Sequence, residues 1–204
     1  LDVYMKGKVE RISPEAPVPI VSVTEKFSRL GGAADVAQNL KALNAEPILC
    51  SVIGNDEKSK DLLELMREQN MNISGIVKSS ERITTRKVRI ISNNAQMLRV
   101  DTEDTFDLTE KEYNSLIKNI HEIIINENID AIILQDYNKG VLTEKLIKET
   151  IEIANKNNII FSRGAIASFL VNLPLQINFL NEIKTVISEA VTNAIVHGYN
   201  NMLG

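Results

Sequence analysis

What most limits how this chain can fold is a change of pattern near residue 160. Up to that point, short apolar runs alternate with amphipathic stretches. Residues 48–53 form a continuous apolar run that ends at Gly54, and 58–69 carry Leu62, Leu65 and Met66 at helical spacing. Residues 87–92 and 97–101 read as two strands joined by the turn Asn93-Asn94. Residues 131–134 read as a further buried strand and 143–156 as a further helix. Such alternation argues for an α/β doubly wound sheet. The next strand begins at Ile159-Ile160, and the sequence then turns into FSRGAIASFLVNL, with Ile166, Phe169, Leu170 and Leu173 on one helical face. A second helical stripe follows over 178–199. No Gly/Ser linker separates the two regimes, so the chain divides into 1–160 and 161–204.

Other local signals fill in the first part. Residues 11–23, RISPEAPVPIVSV, hold three prolines and then alternate, as an extended approach followed by an edge strand does. Gly31-Gly32 punctuates the chain ahead of a helix over 33–43. Thr109 and Glu112 form a capping box for a helix that runs to about Asn126.

The balance of charges excludes some functions. A net charge of -4 leaves no basic footprint for nucleic acid. No apolar run reaches membrane-spanning length and no signal-peptide pattern opens the chain, so a cytoplasmic protein is expected. The first residue is Leu1 rather than Met, which is compatible with a cut N-terminus. Cys50 has no partner for a disulfide and reads as a small hydrophobe within PILCSVIG.

Four segments of the first part carry polar chemistry: Leu1-Asp2 with Tyr4, LGGAADVAQNL, RKVRIISNNAQMLRVD and QDYNKGVL. A Gly-Gly pair opening a helix lets backbone approach a ligand and points free N–H groups at it, although a tight turn needs the same residues. Asp2 and Asp35 could each accept hydrogen bonds from two sugar hydroxyls, or could cap local structure. Lys87, Arg89, Arg99 and Lys139 could hold a phosphate, or could form a solvated strand face.

Taken together, RISPEAPVP, LGGAADVAQNLKAL, VIGND and DYNKGVLT make residues 1–158 resemble the PfkB/ribokinase family, in its heptose-7-phosphate kinase branch. The resemblance implies a partial Rossmann-like, ribokinase-type sheet with a small β lid. It implies ATP and Mg²⁺ as cofactors and a phosphorylated sugar as partner. Asp2, Gly31, Gly32 and Asp35 would bind the sugar, with Asp136 and Lys139 near the same cleft. Where the family has Asn, this chain has Asp35, whose carboxylate accepts but does not donate and would repel a phosphate. The family's Gly-Ala-Gly-Asp motif, which carries the catalytic base, does not occur in the 204 residues.

In the second part Glu189, Asn193 and His197 stand four apart, on one helix face in ISEAVTNAIVHGY. A carboxylate and an amide one turn apart can orient a water and ligate Mg²⁺; they can equally form a plain polar face. His197 reads as a dipole-favoured residue near the helix end. The run from Phe161 through LNEIKTVISEAVTNAIVHGYNN resembles the anti-sigma-F factor of spore-forming bacteria, a serine kinase of GHKL type. That implies two helices of a GHKL-type α+β fragment, with Glu189 as catalytic base and Asn193 as Mg²⁺ ligand. Arg163 would lie on the surface that meets a sigma factor or an antagonist protein. Three readings follow: an inactive fragment of a sugar kinase fused to an anti-sigma fragment, an ATP-binding regulator, or a chimera whose parts share no function.

Overall fold

A computed structural model describes residues 1–161. Their elements, in order, are β1 (Asp2–Ile12), β2 (Pro19–Arg29), α1 (Ala33–Ala42), β3 (Ser51–Gly54), α2 (Glu57–Glu68) and β4 (Ile76–Ser79). Then come β5 (Arg86–Ser92), β6 (Ala95–Thr102), α3 (Glu110–Asn126), β7 (Ala131–Ile132), α4 (Glu144–Lys156) and β8 (Ile160–Phe161). The chain divides into two units, Leu1–Asn126 with Gln135–Thr150, and Glu127–Leu134 with Ile151–Gly204.

The first unit is built on a mixed four-stranded sheet of order β2-β1-β5-β6. β1 pairs antiparallel with β2 and parallel with β5, and β5 pairs antiparallel with β6. The alternating stretch after the prolines does take an edge, as β2. The prolines themselves fall mainly in the connection, because a ring nitrogen cannot donate to a ladder. Asn93 and Asn94 turn between β5 and β6 with φ of 51° and 60°, the left-handed pair that a two-residue hairpin requires and that Asn tolerates. β3 and β4 form a separate parallel pair, with Ser51 opposite Ile76. β3 begins later than the apolar run starting at Ile48, which makes only an isolated bridge to Asn72.

Each helix of this unit has a local cause. Asp56 caps α2 by accepting a 2.8 Å bond from the Ser59 N–H, and Leu62, Leu63 and Met66 are buried. Leu65, expected inward, is only partly buried and packs at the rim of the core. Thr109 and Glu112 form the expected box: the Thr109 N–H donates to Glu112 at 2.8 Å and the Glu112 N–H to the Thr109 hydroxyl at 3.3 Å. One core joins Leu1, Val3, Leu30, Ala34, Ala37, Leu62, Leu63, Met66 and Val88; a second joins Val52, Tyr113, Leu116 and Leu146. Burial pushes the half-buried Cys50 thiol up to about 11, which disfavours the thiolate.

In the second unit β7 and β8 pair in parallel, Ala131 opposite Ile160. The strand expected over 131–134 is shorter and stops at Ile132, ahead of the apolar Ile133-Leu134. Phe161, expected to open a helical stretch, closes β8 instead. Among the described residues the strands group by their ladders into three sheets, the four-stranded one, β3-β4 and β7-β8, where alternation predicts one doubly wound sheet. No helix among them is long and apolar enough to cross a membrane. The two helices expected over 161–199, and with them Arg163, Glu189, Asn193 and His197, lie outside the described residues.

Candidate sugar-binding site

The parallel register places Asp2 opposite Lys87 and Tyr4 opposite Arg89. Asp2 and Tyr4 are two apart, so they share one face of β1. Arg89 Nη1 reaches Asp2 Oδ1 at 3.0 Å, and its guanidinium lies 5.3 Å from the Tyr4 ring centre. That ring is also stacked on Phe27, with centroids 5.0 Å apart. Tyr4 thus gives the Arg89 guanidinium an aromatic contact beside the carboxylate. Arg89 Nη1 is nevertheless buried without a well-aligned hydrogen bond.

Gly31 runs directly past this carboxylate. A Cβ built there would lie 2.7 Å from Asp2 Cγ, so any side chain at this position would displace the carboxylate. Gly32 has φ 58°, in the left-handed region, and its open side faces the Tyr137 ring at 3.6 Å. Asp35 stands exposed in the first turn of α1, where the helix dipole favours a carboxylate. Burial, then the charges of Asp35 and Asp2, raise the Tyr137 hydroxyl above its ordinary value. Asp2, Gly31, Gly32, Asp35 and Tyr137 therefore share one locus, and Arg89 supplies its cation.

The remaining candidates are engaged with carboxylates or turns. Lys87 meets Asp101 at 2.9 Å and Glu103 at 3.5 Å; Arg99 meets Asp101 at 2.9 Å; Lys139 meets Glu103 at 2.6 Å. The hydrogen bond to Asp101 raises Lys87, and the one from Lys139 lowers Glu103. Asp136 Oδ1 accepts the Asn138 N–H at 2.7 Å, closing an Asx turn in which Asn138 is left-handed. The loop then backs onto the chain after β6: at Gly140, with φ 69°, a Cβ would fall 1.9 Å from the Phe106 carbonyl oxygen. Gly140→Ala is expected to destabilise the fold by about 1–3 kcal/mol or more. Its urea midpoint, compared with that of the unaltered chain, measures this.

Sequence reasoning missed three residues here. Tyr137 lies inside the quoted QDYNKGVL but drew no role. Glu103 follows β6 with nothing in its neighbours to mark it. Arg82 and Glu112 form a buried pair at 2.9 Å, with side chains 4% and 2% exposed. Only Glu112 was legible, as a capping residue.

With this geometry established, the sequence pattern of pfkB family carbohydrate kinases matches residues 3–192. The chain belongs to that family. The match runs past the change of pattern near residue 160. Bifunctional protein HldE of Helicobacter pylori is 44% identical over 157 residues, 77% of this chain and 34% of that protein. Its counterpart in Sulfurimonas denitrificans is 40% identical over 159 residues, 78% of this chain and 33% of that protein. The chain thus spans about a third of the length of the curated relatives it matches. The tetrameric inhibited form of Escherichia coli phosphofructokinase-2 superposes with TM-score 0.59 at 18% identity, over 84% of this chain and 54% of that one. The same enzyme in complex with fructose-6-phosphate gives 0.56 at 17%, over 79% and 50%. These likenesses bear on the fold alone. A kinase-type α/β fold, expected for residues 1–158, is therefore in place.

Proposed function

We propose that residues 1–160 form the sugar-binding part of an ATP-dependent carbohydrate kinase that acts on a phosphorylated sugar of the heptose 7-phosphate type. One observation carries this reading: the carboxylate of Asp2 sits against Gly31, beside Gly32, Asp35 and Tyr137. The acceptor-rich edge suits sugar hydroxyls, since each carboxylate oxygen can accept more than one bond. The phosphate would lie toward Arg89, whose planar fork matches a phosphate while its Nη1 lies 3.0 Å from Asp2 Oδ1. Asp35 would repel that group and so fixes which end of the sugar lies over α1. Asp136 and Lys139 contribute by shaping the loop that carries Tyr137.

ATP with Mg²⁺ is the phosphoryl donor that family membership suggests. Among the described residues no group of three or more His, Cys, Asp or Glu stands together as a metal cluster. A Mg²⁺ ion that travels with a nucleotide is held mainly by phosphates and waters with one or two carboxylates, and no step is derived through it. We take the 204-residue chain by itself to bind sugar without transferring phosphate, because transfer depends on positioned charge and a base, and the Gly-Ala-Gly-Asp motif is missing. An ATP-dependent turnover assay with heptose 7-phosphate should show no phosphorylation above background. Phosphorylation that disappears in Asp2→Ala would overturn this.

The second reading concerns 161–204, as an anti-sigma-F-like fragment of GHKL type with Glu189 as base, Asn193 as Mg²⁺ ligand and Arg163 toward a sigma factor or antagonist. Its support is the sequence of the run from Phe161 through LNEIKTVISEAVTNAIVHGYNN, with the spacing of Glu189 and Asn193; the pfkB match extending to residue 192 weighs against it. Calorimetric titration with ATP and Mg²⁺ should give an affinity no tighter than about millimolar, roughly 4 kcal/mol of binding. Micromolar binding lost in Asn193→Ala would move the regulator reading ahead.

A further inference from the structure

We propose that Glu103 is a positioning residue that ties together the two walls of the sugar cradle; this rests on reading the Asp2, Gly31-Gly32 and Tyr137 locus as that cradle. One wall is the β1–β5 ladder, in which Lys87 is the cross-strand partner of Asp2. The other is the loop at 136–140, in which Lys139 follows Tyr137 by two residues. A single carboxylate reaches both: Glu103 approaches Lys139 at 2.6 Å and Lys87 at 3.5 Å. Its side chain is 20% exposed, so solvent screens these contacts less than it would at an open surface.

The loop is built to pass a displacement on. The Asp136–Asn138 turn, two left-handed residues at Asn138 and Gly140, and the contact of Gly140 with the Phe106 backbone give it one shape. A shift at Lys139 therefore shifts the Tyr137 ring over Gly32. Asp101 supports the same arrangement from behind by pairing with Lys87 and Arg99. Arg82 adds a weaker 3.5 Å contact to the Lys139 carbonyl. Without Glu103, Lys87 keeps Asp101, whereas Lys139 has no other carboxylate in ion-pair reach among the described residues. The loop wall is thus the one that would move.

The test uses the full chain labelled with 3-fluorotyrosine, the Tyr137 signal being assigned by its loss in Tyr137→Phe. In Glu103→Gln, which keeps the shape and removes the charge, the Tyr137 fluorine resonance should move while that of Tyr113 stays. Heptose 7-phosphate should bind at least about tenfold more weakly. Glu103→Asp should recover part of both effects. A Tyr137 resonance unchanged in folded Glu103→Gln overturns the proposal. If Glu103→Gln does not fold, Lys139→Gln decides, because it removes the other half of the tie: the Tyr137 resonance should move, and a fixed resonance overturns the proposal. Should the unaltered chain bind no sugar, the functional reading fails while the resonance still decides the tie.

Discussion

Glu112→Ala is expected to cost about 3–5 kcal/mol of stability, the usual penalty for leaving a buried charge without its partner. Arg82 would be the stranded charge: its Nε and Nη2 donate to Glu112 at 2.9 and 3.4 Å, and apart from these its Nη atoms have only long contacts to the Phe106 and Lys139 carbonyls. The same substitution removes the acceptor for the Thr109 N–H, one half of the box that starts α3, while the Thr109 hydroxyl keeps the other half. Arg82→Met with Glu112→Leu should cost much less than either single loss, because no charge is left buried. Acid should act on the same group. Burial alone would raise Glu112, but bonds from Arg82, Ser79 and Thr109 outweigh it and hold the carboxyl down at about 2. The folded value lies below the ordinary 4.5, so the unfolded state binds more protons between the two. This contribution is fully present above about pH 4.5 and is lost as the pH falls toward 2. Chemical denaturation across that window, in the chain and in the double variant, should show the difference as a loss of acid sensitivity.

The second large effect is on binding. Asp2→Ala should weaken heptose 7-phosphate by about 10- to 100-fold, the loss expected when a charged acceptor of one or two hydroxyl bonds is removed. It also frees Arg89, now without a carboxylate at 3.0 Å, to stack on Tyr4 alone. Stability should fall far less than affinity, since both side chains are about one-fifth exposed. Asp2→Asn separates the two roles. It keeps the shape beside Gly31 and removes the charge, so it should retain the loop while losing most of the affinity. Calorimetry with the sugar and thermal melts of the same samples distinguish the outcomes.

Much of the first unit was legible in the sequence because its elements declare themselves locally. Asn93-Asn94 can hardly be anything but a left-handed turn, and Thr109 with Glu112 announces a helix start. Gly31 and Gly32 stood out for the same reason, and the structure gives each a separate need: close approach to Asp2 at one, left-handed backbone at the other. β4 was missed, since IVKS is too short to show a period. The sheet order was beyond reach as well: nothing in the run from Asp2 shows that it pairs with β5 rather than with β3. The same holds for Arg82 and Glu103. Their partners lie 30 and 36 residues away, and a charge in sequence gives no sign of whether it will be buried. Long-range pairing, which the sequence does not show, engages all four cations that it singled out: Lys87, Arg99 and Lys139 meet Asp101 or Glu103, and Arg89 meets Asp2.

The central claim is that a phosphorylated sugar binds where β1, the Gly-Gly loop and the 136–140 loop meet. Amide chemical-shift mapping of the isotope-labelled chain during titration with heptose 7-phosphate tests it most directly. The largest shifts should fall at Asp2, Gly31, Gly32, Asp35, Tyr137 and Arg89, and should vanish in Asp2→Ala. Shifts confined to the recess of about 380 Å³ lined by Asn55, Lys78, Ser80, Lys111 and Ser115, or to residues 161–204, would contradict it, as would an unchanged spectrum at saturating sugar.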